Sequence, residues 1–195
     1  MKSINYFLAI VLFALSSTFA QTKWDVDKSH SKVGFSVSHL VIAEVEGKFN
    51  NFSGNISTSN DNFDDAKIDF TVDVNSIDTD NDARDKHLKS DDFFNAEKFP
   101  NITFKGKSMT KVGDKKYKLI GDFTMRDVTK EIALDVKFNG ITKDPWGNTK
   151  AGFKITGEVN RFDYGLKWNK TVETGGLVVG DMVSLSINLE LAKQK

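Results

Sequence analysis

Residues 183–191 read Val-Ser-Leu-Ser-Ile-Asn-Leu-Glu-Leu, an unbroken alternation of apolar and polar side chains. Successive side chains of a β-strand point to opposite faces, so this stretch predicts a strand with one apolar face. The same period of two recurs along most of the chain. We predict eight strands, near residues 33–40, 47–57, 66–75, 101–111, 115–126, 131–141, 150–161 and 182–191.

Short connections between most of these strands carry turn-forming residues, as between Asp144 and Asn148, where Pro145 and Gly147 occur. Tight turns join antiparallel neighbours. Eight antiparallel strands with one apolar face can form a two-sheet sandwich or a closed barrel. The even strand number and the consecutive order favour an all-β, eight-stranded antiparallel barrel, because closure removes exposed sheet edges.

Two connections are long and carry aromatic residues. The first lies between Asp80 and Lys98 and is predicted to contain a short helix. The second lies between Arg161 and Asp181 and is rich in glycine. Long loops of this kind in a compact domain often act as lids or binding loops.

The N-terminus is typical of an exported protein. Lys2 precedes a short apolar run at residues 6–15, and residues 18–20 end in the small residue Ala20. We interpret residues 1–20 as a signal peptide and residues 21–195 as a single domain. The apolar run is about half of the roughly 20 residues that cross a bilayer, so stable membrane insertion is not expected. The expected location is periplasmic or secreted.

Composition excludes several classes of function. The chain has 27 basic and 27 acidic residues, a balance that gives no indication of nucleic acid as a partner. It contains no cysteine, so disulfides do not stabilise the fold and no cysteine acts as a catalytic nucleophile.

Motifs for catalysis are absent from the sequence. There is no G-x-S-x-G, no H-E-x-x-H and no phosphate-binding glycine loop. The three histidines, His30, His39 and His87, fall in different segments. We therefore predict no catalytic residue, no bound metal and no cofactor. A metal site would become possible if the fold brought the histidines together. Arg84 is expected to pair with Asp85, or alternatively to meet an anionic headgroup.

Sixteen phenylalanines make the predicted interior strongly apolar. Large aromatic side chains at inward positions can fill a core completely or line a cavity. Periodicity does not distinguish these two possibilities.

Several motifs resemble those of the YceI-like polyisoprenoid-binding proteins. The resemblance covers almost the whole of residues 21–195, and its most specific part runs from Arg84 to Pro100. It is carried by Trp24, Asp27, His30, Ser31, Phe35, Val37, His39, Gly47, Phe49, Gly54, Ser76, Asp78, Thr79, Arg84, Asp85, His87, Leu88, Phe93, Phe94, Pro100, Gly121, Arg161 and Gly180. Where the family commonly has glycine after its fifth strand, this chain has Asp127, which we expect to adopt left-handed backbone.

The resemblance implies a lipocalin-like barrel that holds a long isoprenoid lipid, of polyprenyl or quinone type, in its lumen. Such a protein carries, stores or sequesters its ligand and is not an enzyme. Phe94 and Trp168 become candidate lid residues, and His39, Arg84 and Arg161 could meet a polar headgroup. The expected ligand contacts are Phe35, Val37, His39, Phe49, Phe70, Val72, Phe94, Phe104, Phe123, Phe153 and Trp168.

Two other functions stay open from the sequence. One is an enzyme that acts on an apolar lipid substrate, and the other is a structural or stress-related module with a filled core. The sequence leaves undetermined the lipid's identity, chain length and headgroup, and the oligomeric state, including whether the protein forms a homodimer.

Overall fold

The strands of this protein form one antiparallel sheet that closes on itself. The computed structural model describes residues 21–171 and 175–195. Its elements are β1 (Thr22–Val26), β2 (Lys32–His39), β3 (Ala43–Phe49), β4 (Phe52–Thr58), β5 (Lys67–Asp73), β6 (Ile77–Asp78), α1 (Asp82–Lys89), β7 (Asn101–Gly113), β8 (Lys116–Met125), β9 (Val128–Lys143), β10 (Thr149–Asn160) and β11 (Val179–Lys193).

Three of the eight barrel strands are interrupted. β1 and β2 flank a 3₁₀ turn at Lys28–His30, and both pair with β11. β3 and β4 form the next interrupted strand, and β5 and β6 the third, while β7 to β11 are continuous. The predicted eight-stranded antiparallel barrel is therefore confirmed. Sequence analysis did not predict β1, which completes the closure by pairing with both β4 and β11.

The two ends of the barrel are built differently. The upper end carries the β2–β3 hairpin, α1, the β8–β9 turn and the connection from β10 to β11, whereas the lower end carries the β4–β5, β7–β8 and β9–β10 connections. At the lower end Phe63 is almost fully buried and contacts Trp24, Phe138 and Phe153, with ring centroids 5.1, 5.7 and 4.9 Å away. This aromatic cluster closes the lower end.

The predicted short helix between Asp80 and Lys98 is α1. Asn81 caps it by accepting a hydrogen bond from the Arg84 backbone N–H at 2.9 Å, and Ser90 ends it. Leu88 near the end of the helix and Phe93 and Phe94 in the segment that follows lie at the upper end of the lumen. The helix and the segment after it thus cover part of the upper end of the barrel.

The turn between β8 and β9 differs from expectation. Left-handed backbone falls on Arg126, with φ of 55°, and Asp127 does not adopt it. The Arg126 guanidinium donates hydrogen bonds to the carbonyl oxygens of Phe93 at 3.0 Å and Gly165 at 2.8 Å. The turn residue therefore ties together the two long connections of the upper end, which is a structural role that a glycine could not fill.

Candidate ligand-binding cavity

The barrel lumen holds a cavity of about 200 Å³. Aliphatic and aromatic residues make up nearly all of its wall, and within the described part of the chain Thr103 and Arg161 are the residues with polar side chains that contribute to it. Leu185, Ile187 and Leu189 of β11 point inward yet are only half-buried, because their inner sides face this cavity. An apolar space of this kind binds apolar ligands and does not favour water.

Nine of the predicted ligand contacts lie in the wall of this cavity. They are Phe35, Val37, Phe49, Phe70, Val72, Phe94, Phe104, Phe123 and Phe153. The other two, His39 and Trp168, lie at the upper end in an adjoining pocket. Eight of the nine lie on strands, where the alternation predicts the inward phase, whereas Phe94 lies in the connection between α1 and β7.

Glycines explain why so many phenylalanines leave the lumen open. Phe35 pairs with Gly47 across β2 and β3, and a Cβ atom at Gly47 would lie 2.4 Å from Phe35 Cζ. The Phe35 ring must therefore lie across the glycine, along the wall, instead of projecting to the barrel axis. Phe104 lies in the same way over Gly121, and Phe70 over Gly54.

Sequence analysis missed several residues of the cavity. Phe63 comes from a polar turn and has φ of 62°, so no periodic signal marks it as buried. Leu88 and Phe93 precede β7 in a connection where the strand period does not apply. Leu185, Ile187 and Leu189 of β11 follow the strand alternation, which indicates an inward face, but they are not among the predicted ligand contacts.

The mouth pocket lies above the lumen and has a volume of about 200 Å³. It is more polar than the lumen, and its wall includes His39, Thr79, Arg84, His87 and Trp168. Phe35, Val37, Leu88, Phe93 and Val179 line both cavities, so the mouth pocket and the lumen share a wall. A ligand with a polar end and an apolar chain fits this combination.

The expected pairing of Arg84 with Asp85 is wrong. Arg84 Nε donates to Thr79 Oγ1 at 2.8 Å, and its Nη2 donates to the Thr79 carbonyl oxygen at 2.6 Å. Asp85 accepts hydrogen bonds from the Thr79 backbone N–H at 3.0 Å and hydroxyl at 2.5 Å. Both charged groups therefore bond to the nearly buried Thr79, which follows β6, and not to each other.

Aromatic rings pack around His87 at the mouth. Its ring lies edge-on to Phe93 and Trp168, with centroids 5.1 and 5.2 Å away. His87 Nε2 lies 2.8 Å from Asp92 Oδ2, so the carboxylate fixes the orientation of the imidazole. These contacts link the helix segment to the β10–β11 connection.

Arg161 fixes the start and end of that connection. Only 3 % exposed, it donates hydrogen bonds to four backbone carbonyl oxygens, those of Leu166, Trp168, Val179 and Gly180, at 2.6 to 3.0 Å. Burial lowers the pKa of its guanidinium below the ordinary value, while the charge of Asp181 acts in the opposite direction. The guanidinium is occupied by the loop it holds, which makes it an anchor of the mouth.

The histidines do not gather into one site. His39 and His87 line the mouth pocket, while His30 lies beside Asp27 and Glu190 near the lower half of β11. That group has the composition of a metal site, but Lys150 Nζ lies 2.6 Å from Asp27 Oδ2 and 3.1 Å from Glu190 Oε1. A lysine ammonium thus forms an ion pair with both carboxylates, and its hydrogen bond, followed by that of Ser29, lowers the pKa of Asp27.

Comparison with known proteins agrees with this architecture. The YceI-like domain matches residues 24–191. This chain belongs to the YceI-like family. A UPF0312 protein of Staphylococcus aureus strain bovine RF122 / ET3-1 is 38% identical over 172 residues, which cover 88% of this chain and 98% of the relative.

Solved structures of the YceI-like fold superimpose on the barrel. The YCEI protein of Campylobacter jejuni is 34% identical, with a TM-score of 0.70 over 87% of this chain and 96% of its own. A polyisoprenoid binding domain of Saccharophagus degradans, implicated in plant cell wall breakdown, has a TM-score of 0.68 over 88% of this chain and 98% of its own. At 16% identity, that likeness concerns the fold.

The described residues of this YceI-like protein contain no helix that is long and apolar enough to cross a bilayer. The expected signal peptide at residues 1–20 lies outside the residues that the structure describes.

Proposed function

We propose that this YceI-like protein binds a long-chain isoprenoid lipid of polyprenyl or quinone type in its lumen. The observation that carries the proposal is the apolar cavity in which phenylalanines lie against the wall. The family and the fold shared with a polyisoprenoid binding domain support the same ligand class.

The apolar wall makes the ligand's chain the main source of affinity. Burying one CH₂ group contributes about 0.8 kcal/mol, so an isoprene unit of five carbons contributes on the order of 3 to 4 kcal/mol before ordering costs. Micromolar binding corresponds to about 8 kcal/mol. A few buried units therefore suffice, and affinity should rise with chain length until the cavity is filled.

In this function the nine lumen residues contact the chain, and His39 and Trp168 contact the ligand where it leaves the lumen. A polar headgroup would lie in the mouth pocket near His39 and Arg84. Arg161 is better assigned to holding the loop, since four carbonyls surround it.

The biological role that fits best is a periplasmic or secreted carrier, store or sequestering protein. Family membership favours binding over catalysis, and the described cavity has a wall of unreactive side chains. The isoprenoid is then the ligand and the only small-molecule partner in the proposal, with the domain at residues 21–195 acting alone or as a homodimer.

Equilibrium titration with a polyprenol and with a prenylated benzoquinone of equal chain length tests the proposal. Leu185 projects into the cavity, whereas the adjacent Ser186 is exposed on the outer face of β11. Leu185→Trp should fill the lumen and weaken binding of both ligands at least tenfold, while Ser186→Trp serves as the matched control and should leave binding unchanged. Absence of binding by the unmodified protein, or equal effects of the two variants, would exclude the lumen as the site.

A further inference from the structure

The β2–β3 hairpin ends in three consecutive exposed aliphatic residues at the upper end of the barrel. Leu40, Val41 and Ile42 are 37%, 66% and 87% exposed. We call these three residues the apolar tip. The Ile42 backbone N–H donates to the His39 carbonyl oxygen at 3.2 Å, which closes a β-turn whose central residues are Leu40 and Val41.

The backbone of this turn disfavours the residues that occupy it. Leu40 and Val41 have φ of 52° and 66°, the left-handed conformation at both central positions. Hairpin turns of this geometry prefer Asn-Gly, and a β-branched residue with positive φ is an outlier. Folding stability alone therefore does not account for Leu-Val at these two positions.

The apolar tip adjoins the mouth pocket. The Leu40 backbone N–H donates to the Val178 carbonyl oxygen at 2.9 Å, and Val178 and His39 both line that pocket. Phe63 closes the opposite end of the barrel. The exposed apolar residues therefore lie at the end where the lumen adjoins the mouth pocket.

We propose that the apolar tip inserts into a lipid bilayer and docks the mouth pocket against the membrane. The benefit of such docking rests on the proposed function, because a long isoprenoid chain could then pass between bilayer and lumen without crossing water. The insertion itself rests on the exposed residues and their strained backbone.

Size and charge favour a bilayer over a second copy of the chain. Three aliphatic side chains expose on the order of 300 Å². A stable protein interface buries at least about 1,200 Å², and a projecting turn offers no flat surface to complete it. The hairpin end from His39 to Glu44 carries no lysine or arginine, so insertion should depend on apolar burial and only weakly on salt or anionic lipid.

Flotation of the purified protein with vesicles of phosphatidylethanolamine and phosphatidylglycerol, free of isoprenoid, tests the proposal. The double substitution Leu40→Asn, Val41→Gly should weaken vesicle binding at least tenfold, and it should leave the melting temperature unchanged or raise it, since it supplies the residues the turn prefers. Ile42→Ser should weaken binding in the same direction. Trp146→Ser is the matched control, because Trp146 is 83% exposed at the lower end and should not affect binding.

Three results would overturn docking through the apolar tip. The first is equal vesicle binding by the double variant and the unmodified protein, and the second is loss of binding in Trp146→Ser alone. The third is a dimer of the unmodified protein, seen by light scattering, that the double variant dissociates. Because the vesicles contain no isoprenoid, these outcomes are independent of the ligand titration, and either proposal can fail without the other.

Discussion

Replacing Gly47 by alanine tests why the lumen is open. The new Cβ would lie 2.4 Å from Phe35 Cζ, 2.8 Å from Phe35 Cε1 and 2.8 Å from Thr79 Cγ2, so the Phe35 ring must swing toward the barrel axis. Overpacking of this kind costs about 1–3 kcal/mol, and removing a strand glycine returns roughly 0.5–1 kcal/mol. The expected net loss of unfolding free energy is about 1–2 kcal/mol, or roughly 3–6 °C in melting temperature.

Urea unfolding of four proteins measures this effect: the unmodified chain, Gly47→Ala, Phe35→Leu and the double variant. Leucine lacks the ring atoms nearest to Gly47, so the alanine should cost about 1 kcal/mol less in the Phe35→Leu background. Gly152→Ala is the matched control, since its Cβ would meet Asn139 Cβ at an ordinary 3.5 Å. An equal cost of Gly47→Ala in both backgrounds would refute the account of the phenylalanine wall.

Two further predictions concern the charged side chains of Arg161 and Asp27. Arg161→Lys keeps the positive charge but cannot reach four carbonyls, so it should lower the unfolding free energy by about 3–5 kcal/mol and speed amide hydrogen exchange at Leu166 and Trp168. Arg84→Lys should cost less, because Arg84 is exposed and its guanidinium bonds to Thr79 alone. Equal exchange in Arg161→Lys and the unmodified protein would contradict the anchoring role. The pKa of Asp27 is lowered in the folded protein, so its carboxylate stabilises the fold above about pH 4 and that stabilisation is lost as the pH falls. Asp27→Asn should therefore cost about 2 kcal/mol at pH 7 in urea unfolding and less at pH 3, with Asp114→Asn in an exposed turn as control; a cost that does not shrink at pH 3 would contradict the depressed pKa.

The barrel and most of its inner wall could be predicted from sequence because alternation fixes which side chains share a face. Phe35 and Phe104 were identified on that ground, but their orientation depends on Gly47 and Gly121 in neighbouring strands. Strand register is set by tertiary pairing and turn geometry, so the open lumen was not predictable from periodicity.

Features of the barrel ends were harder to predict. Phe63 and Arg126 adopt left-handed backbone in turns, where no period indicates which side chain is buried. Arg84 and Asp85 are adjacent in sequence, yet both contact Thr79, because the fold brings α1 beside the end of β6. Such contacts depend on the tertiary packing of separate elements, which the alternation within one strand does not predict.

The central claim is that the lumen holds a long isoprenoid chain. Native mass spectrometry of the protein purified from its own source, followed by solvent extraction and analysis of the released lipid, tests that claim most directly. The account predicts an added mass that matches one isoprenoid lipid per chain, and loss of that mass in Leu185→Trp. Protein with no added mass that also takes up no prenyl lipid on incubation, or bound lipid that persists in Leu185→Trp, would contradict it.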